Sequence, residues 1–236
     1  MVAAPRLPLT PDQLKGLREQ LARAAETVAS APGSAAAAQW AQLASWLYDS
    51  FVRRRPRFVR LGSQRYSRSA RAQTGLTPFR LEAARHGRQP RTECRSVKRA
   101  PAPAAVAERL GVKEDQAVIR RENWYFTDSE PMQAGITYIP LEIADMSDVA
   151  SAQRLGAGGL YRRLEDLGYP MHHMREEVHA RMPSPEEAAA LCLPPGVPVL
   201  DVLHTSYDSH ERPFEVTRFV VRADLGALDY EISIED

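Results

Sequence analysis

RSVKRAPAPAAVAERLGVKEDQAVIRRENWYFTDSEPMQAGITYIP, residues 95–140, has a counterpart in EVHARMPSPEEAAALCLPPGVPVLDVLHTSYDSHERPFEVTRFVV, residues 177–221. Each stretch runs from a short strand through a P-x-P step into a helix, then through a turn into a long two-stranded hairpin. The hairpin tips are Thr127-Asp128-Ser129-Glu130-Pro131 and Asp208-Ser209-His210-Glu211-Arg212-Pro213, and the prolines that close them lie 82 residues apart. That period exceeds those of solenoid repeats, and two copies are too few to stack. The pattern predicts one α+β domain, a pseudo-duplicated strand-helix-hairpin unit giving an antiparallel sheet with flanking helices.

Working outward, strands are expected at Thr92–Arg99 and Met174–Met182, helices at Pro103–Leu110 and Pro185–Cys192, and hairpins at Val118–Ile139 and Val197–Arg222. A helix over Pro78–His86 stops at Gly87, and Tyr230–Ile234 is expected to finish the sheet as a last strand. The crossover Gly156-Ala157-Gly158-Gly159 leads into a helix from Leu160, where exposed N–H groups favour an anion. Glycine-rich loops also serve simply as loops.

Residues 1–60 read as a helical hairpin. Thr10-Pro11-Asp12 supplies a cap, a first-turn proline and an early carboxylate, after which Leu14, Leu17, Leu21, Ala24 and Val28 line one face. Ala31-Pro32-Gly33-Ser34 breaks the chain, and a second helix from Ala35 to about Val52 carries Trp40, Leu47 and Phe51. A recognition helix needs a polar first turn, and this one begins with alanines, so packing or dimerisation is the favoured role. The expected domains are therefore residues 1–60 and 61–236.

Net charge is +1, but residues 1–99 carry +13 and residues 100–236 carry −12. Arg53, Arg54, Arg55, Arg57, Arg60, Arg65, Arg68 and Arg71 follow one another without an acidic residue between them. Either an anionic partner such as DNA or the acidic half of the same protein receives them. No apolar run approaches the length of a membrane span, which points to the cytoplasm. Cys94 and Cys192 lack metal-site spacing and read as buried free thiols; no cofactor or metal is expected.

Strand alternation puts Arg121, Asn123 and Tyr125 on one side of a strand and Glu215, Thr217, Phe219 and Val221 on one side of another. Facing a common cavity, they would supply a few polar groups among apolar walls, as small-molecule sites do. The competing reading is an exposed face with Glu215 in a plain salt bridge. His173, Glu177 and His179 share strand parity, yet lack the further ligands of a metal site. His204, Ser206 and Asp208 lie close in sequence but make a poor triad.

APAPAAVAERLGV, EPMQAGITYIPLEIAD, GGLYRRLEDLGY, REEVHARMPSPEEAAALCLPPGVPVLDVLHTSYD and RPFEVTRFVVRAD, in that order, resemble the UTRA effector-binding domain of GntR transcription regulators, HutC subfamily. The resemblance covers roughly residues 61–234 and implies a chorismate-lyase-like sheet with a small-molecule pocket, in a protein that is a homodimer and changes its DNA affinity. The family's recognition-helix motifs do not occur in residues 1–60. In the pocket, an Arg-x-Arg pair and a glutamate of phosphosugar-binding members correspond to Asn123, Tyr125 and Gly135, with Arg121 two residues earlier. A hydroxyl position corresponds to Gly159, a tyrosine to Val221, while Tyr161 and Glu215 are kept. Those losses imply a less anionic effector, held by Arg121, Asn123, Tyr125, Gly159, Tyr161 and Glu215. DNA would be read, if at all, through Arg53, Arg54, Arg55 and Arg57. The expected function is a ligand-sensing transcription regulator. The alternatives are a binding or partner protein derived from one, and an enzyme on the same fold.

Overall fold

The computed structural model describes residues 58–232, and before them Lys15, Gly16, Glu19, Ala22, Arg23, Glu26 and Ser30. The chain divides into two compact units, residues 1–56 with 194–196, and residues 57–193 with 197–236. In the first unit the described residues from Lys15 to Ser30 are helical, within the expected first helix. The second expected helix and Arg53, Arg54, Arg55 and Arg57 lie outside the described residues.

The second unit opens with strand β1 (Phe58–Leu61), a 3-10 turn (Ser63–Tyr66) and helices α1 (Arg68–Thr74) and α2 (Pro78–Arg85). The first half of the duplication follows as β2 (Pro90–Pro101), α3 (Ala104–Leu110), β3 (Ala117–Thr127) and β4 (Glu130–Pro140). Short helices α4 (Leu141–Ala144) and α5 (Asp148–Ser151) and helix α6 (Gly159–Asp166) make the crossover. The second half is β5 (His173–Arg181), α7 (Pro185–Ala190), β6 (Val199–Tyr207) and β7 (Pro213–Arg222), and β8 (Gly226–Asp229) follows.

The main sheet has the order β2-β3-β4-β7-β6-β5, antiparallel throughout. This is the order a duplicated unit gives when its two inner hairpin strands pair. Local chemistry fixes the units. Ser184 and Glu187 form a reciprocal capping box at the start of α7, and Gly111 ends α3 in the left-handed region at φ 66°. Asp128 and Ser129, both at positive φ, turn the first hairpin as a tight two-residue connection requires.

Alternation then separates two faces. On one, Val118, Tyr138 and Val216 pack beneath Val106, Ala107 and Leu110 of α3. On the other, Ile119 and Ile139 join Tyr66, Ala144, Val149, Tyr161 and Leu164, together with Phe214, which the register between β6 and β7 skips. Fully burying side chains of this size stabilises by about 1.5–3 kcal/mol each. Two sequence expectations need correction. The final strand is Gly226–Asp229, and it pairs in parallel with β1 in a separate two-stranded sheet, with Phe58 opposite Gly226 and Leu61 opposite Asp229. Cys192 is exposed in the turn after α7, at φ 52°, while Cys94 is half-buried.

Candidate functional site

The face of the sheet that carries odd-numbered residues of β3, β4 and β7 is apolar at both ends and polar in the middle. Arg121 stands opposite Thr137, and Thr137 opposite Thr217. One row along, Asn123, Gly135 and Phe219 align, and beyond them Tyr125, Gln133 and Val221. Over this face lies a cavity of about 830 Å³, bordered by β1, the 3-10 turn, the loop before α2 with α2 itself, and the glycine loop before α6. That is the size of a small-molecule site.

Of the residues expected from the sequence, Arg121, Asn123, Tyr125, Gly159 and Tyr161 line the cavity. Glu215 is placed differently. It is fully buried and absent from the lining, with its carboxylate accepting from Ser206 at 2.6 Å, from Thr217, and from Tyr161 at 3.5 Å. Thr217 in turn lies 2.6 Å from Thr137 on the cavity floor. Arg121 directs Nη1 to the Val149 carbonyl at 2.6 Å and Nη2 to that of Ala152 at 2.9 Å, so it also fastens the crossover to the sheet. Burial lowers the pKa of Arg121, and no carboxylate pairs with it among the described residues.

Behind Glu215 is a second layer. His204 lies 3.0 Å from Ser206 through Nε2 and 3.0 Å from Glu176 through Nδ1. Glu176 also accepts from Arg65 and Tyr230. Burial alone would raise the pKa of Glu176, but the His204 hydrogen bond and the Arg65 charge outweigh it and hold the group far below the usual carboxylate range. Ser206 and His204 thus do meet, with Glu176 as the third member. Asp208 is engaged instead by the His210 and Arg212 amides at 2.8 and 3.0 Å. Both Ser206 and His204 are wholly inaccessible. Tyr161 rises well above its ordinary pKa through burial and the nearby Glu215 charge, and remains a neutral donor.

Two glycines at the cavity leave no room for a side chain. A Cβ on Gly135 would lie 3.0 Å from the Phe219 ring and 3.3 Å from Tyr125. These rings, 6.4 Å apart between centroids, fill the place a glutamate would need. Gly159 has φ +62°, and a Cβ there would come within 2.6 Å of the Thr77 methyl. Thr77, on the wall of the cavity, occupies that space.

The lead-in segment contributes to the cavity without a local signal in its sequence. Arg60, Arg65 and Tyr66 line the cavity, and Arg60, Arg65 and Arg71 are buried. Arg65 pairs with Glu176 and Arg71 with Glu165, so for these two the acidic half of the protein receives the basic run. Arg68 remains largely exposed. The expectation of a less anionic effector rested on the hairpin and crossover positions; Arg60 brings positive charge to the cavity from another direction.

A duplicated antiparallel sheet with a cavity of small-molecule size on one face and helices on both defines an α+β domain. Residues 85–225 match the UTRA domain, and the chain belongs to that family. Over 163 residues it is 32% identical to the uncharacterized HTH-type transcriptional regulator SCO4628 of Streptomyces coelicolor, covering 67% of this chain and 61% of that protein. PhnF from Mycobacterium smegmatis superposes with a TM-score of 0.63 at 18% identity, covering 92% of this chain and 99% of that one. A GntR-family transcriptional regulator from Enterococcus faecalis gives 0.50 at 21% identity, over 62% of this chain and all of that one. At these identities the two structures show the shared fold. The chain spans less than two thirds of the length of the curated relatives it matches. No described helix is long and apolar enough to cross a membrane.

Proposed function

We propose that the protein is a ligand-sensing transcription regulator whose second unit, residues 57–193 with 197–236, binds a small-molecule effector, while the arginines Arg53, Arg54, Arg55 and Arg57 serve DNA contact and the helices before them packing or dimerisation. The observation that carries this reading is the cavity of about 830 Å³ over the polar middle of the sheet. Family membership and the regulator relative support it. Tyr161, Asn123 and Thr137 offer hydrogen-bonding groups, Arg121 a cation, and Tyr125 and Phe219 an apolar wall. Glu215 acts through Tyr161 and Thr217 as a positioning residue.

An effector shifts such a protein only by binding one state more tightly than another. The reading treats the protein as a homodimer in the cytoplasm, with catalysis playing no part. Its test is binding to the DNA upstream of its own gene, against a scrambled duplex, at two salt concentrations. Specific binding that weakens with salt is expected. Replacing Arg53, Arg54 and Arg55 by alanine flattens the salt dependence by roughly 0.9 in log–log slope for each phosphate that the variant no longer neutralises. Equal binding to both duplexes, or an unchanged slope, contradicts the DNA-reading role and leaves an effector-binding partner protein.

A further inference from the structure

The cavity has a charge problem that its own residues do not solve. Arg65 is buried but accompanied by Glu176 and Glu82. Glu93, the other lining carboxylate, reaches outward to Arg91 and Arg95. Among the described residues Arg121 has two carbonyl oxygens and a thiol for hydrogen-bond partners. Arg60 is more exceptional: it is 3% exposed, its Nη1 is buried without a hydrogen-bond partner, and its guanidinium lies 4.6 Å from the centre of the Phe219 ring. Glu176 feels the Arg60 charge, but it spends its hydrogen bonds on Arg65, His204 and Tyr230. A ring face attracts a cation but does not replace a bonded counter-ion, and a buried charge without one is costly.

Both Arg60 and Arg121 face the same cavity, and both are held there by independent means. Arg121 is fixed by the crossover carbonyls. Arg60 is fixed by its strand, where it stands opposite Leu228 of β8, and by the ring beneath it. Phe219 packs beside Tyr125, which packs on Phe79 at 5.1 Å, so an aromatic wall lies next to the Arg60 guanidinium.

We propose that the cavity takes a small organic anion, with Arg60 receiving its carboxylate or phosphate and the Tyr125–Phe219 wall its apolar body. The proposal rests on reading the cavity as the effector site and names the chemistry of that effector. A planar guanidinium suits either oxyanion, since each accepts two parallel hydrogen bonds. Arg60 lies on the first strand of the domain, immediately after the N-terminal unit, whereas Phe219 and Asn123 belong to the main sheet. A ligand held between them ties β1 to that sheet.

Calorimetric titration of the full chain with phenyl phosphate, benzoate and benzamide tests this, using the wild type, Arg60→Gln and Arg60→Lys. At least one anion is expected to bind ten-fold or more tighter than neutral benzamide, and the tighter of the two identifies the oxyanion. Arg60→Gln abolishes the preference, and Arg60→Lys, which keeps the charge and is the safer variant for folding, retains part of it. Equal affinity for the three probes, no binding of either anion, or an unchanged preference in both variants overturns the proposal. Arg60-dependent anion binding in a protein that ignores its upstream DNA would sink the regulator reading and leave the anion site standing. DNA binding that responds to no anion would do the reverse.

Discussion

The two halves of the duplicated sheet share a topology and differ in what their inner faces do. In β3 of the first half, Arg121, Asn123 and Tyr125 open onto the cavity. In the corresponding strand of the second half, β6, His204 and Ser206 are sealed between Glu176 and Glu215 with no exposure at all. One half keeps its polar groups available, and the other saturates them internally. Buried polar groups that satisfy one another rigidify a core, whereas recognition requires groups left for a ligand. Duplication supplies both from one architecture, the sealed half anchoring the floor against which the open half can bind.

The contrast is broken most severely at Glu176. Glu176→Gln leaves Arg65 and His204 buried without their carboxylate, and a loss of about 3–5 kcal/mol in denaturant unfolding is expected. The same variant reports on pH. Because the folded-state pKa of Glu176 lies below its unfolded value of roughly 4.3, its contribution is complete above that value and is lost as pH falls toward the folded pKa. The wild type should therefore lose stability on acidification below about pH 5, and the variant should lack that part of the slope. A midpoint like the wild type's at neutral pH would show that the sealed network does not anchor the fold.

Arg121 combines recognition with anchoring within the open half, since it lines the cavity and holds the crossover. Arg121→Met removes its charged donors from the Val149 and Ala152 carbonyls, for an expected loss of about 1.5–3 kcal/mol. Faster proteolysis between Ala144 and Gly159 would accompany it, and an unchanged cleavage rate would assign the crossover's order to other interactions. Gly135→Ala forces the Phe219 and Tyr125 rings aside at a cost of about 1–3 kcal/mol, and near-ultraviolet dichroism of the aromatic wall should change with it. The smallest effect belongs to Asn123→Ala. Its side chain makes no hydrogen bond among the described residues, so stability should move by no more than about 0.5 kcal/mol while affinity for a cavity ligand falls. A large stability loss there would mean that the open half is structural too.

The sheet and its duplication were readable because each hairpin carries its own turn chemistry and alternation, which are local signals. Asp128 and Ser129 mark the first tip, and Pro213 follows the second, without reference to the rest of the chain. Strand β1 was not readable, because four residues carry little periodicity and their partner β8 begins 165 residues after β1 ends. The last strand was displaced for the same reason, its pairing being with β1 and not with the main sheet. Arg60, Arg65 and Arg71 were read within a basic run because composition does not reveal a counter-ion. Glu176 lies 111 residues from Arg65, and Glu165 94 residues from Arg71. Glu215 shared strand parity with cavity residues, but parity assigns a face and not a depth. Only the third dimension puts Tyr161 and Thr217 between it and a ligand.

Amide hydrogen exchange of the full chain with and without saturating phenyl phosphate tests the division of labour most directly. The account predicts new protection in residues 58–61, around Asn123, and in residues 156–161, with β5 and β6 unchanged because they are already sealed. Protection concentrated in β5 and β6, with none in the lead-in strand or the glycine loop, would contradict it.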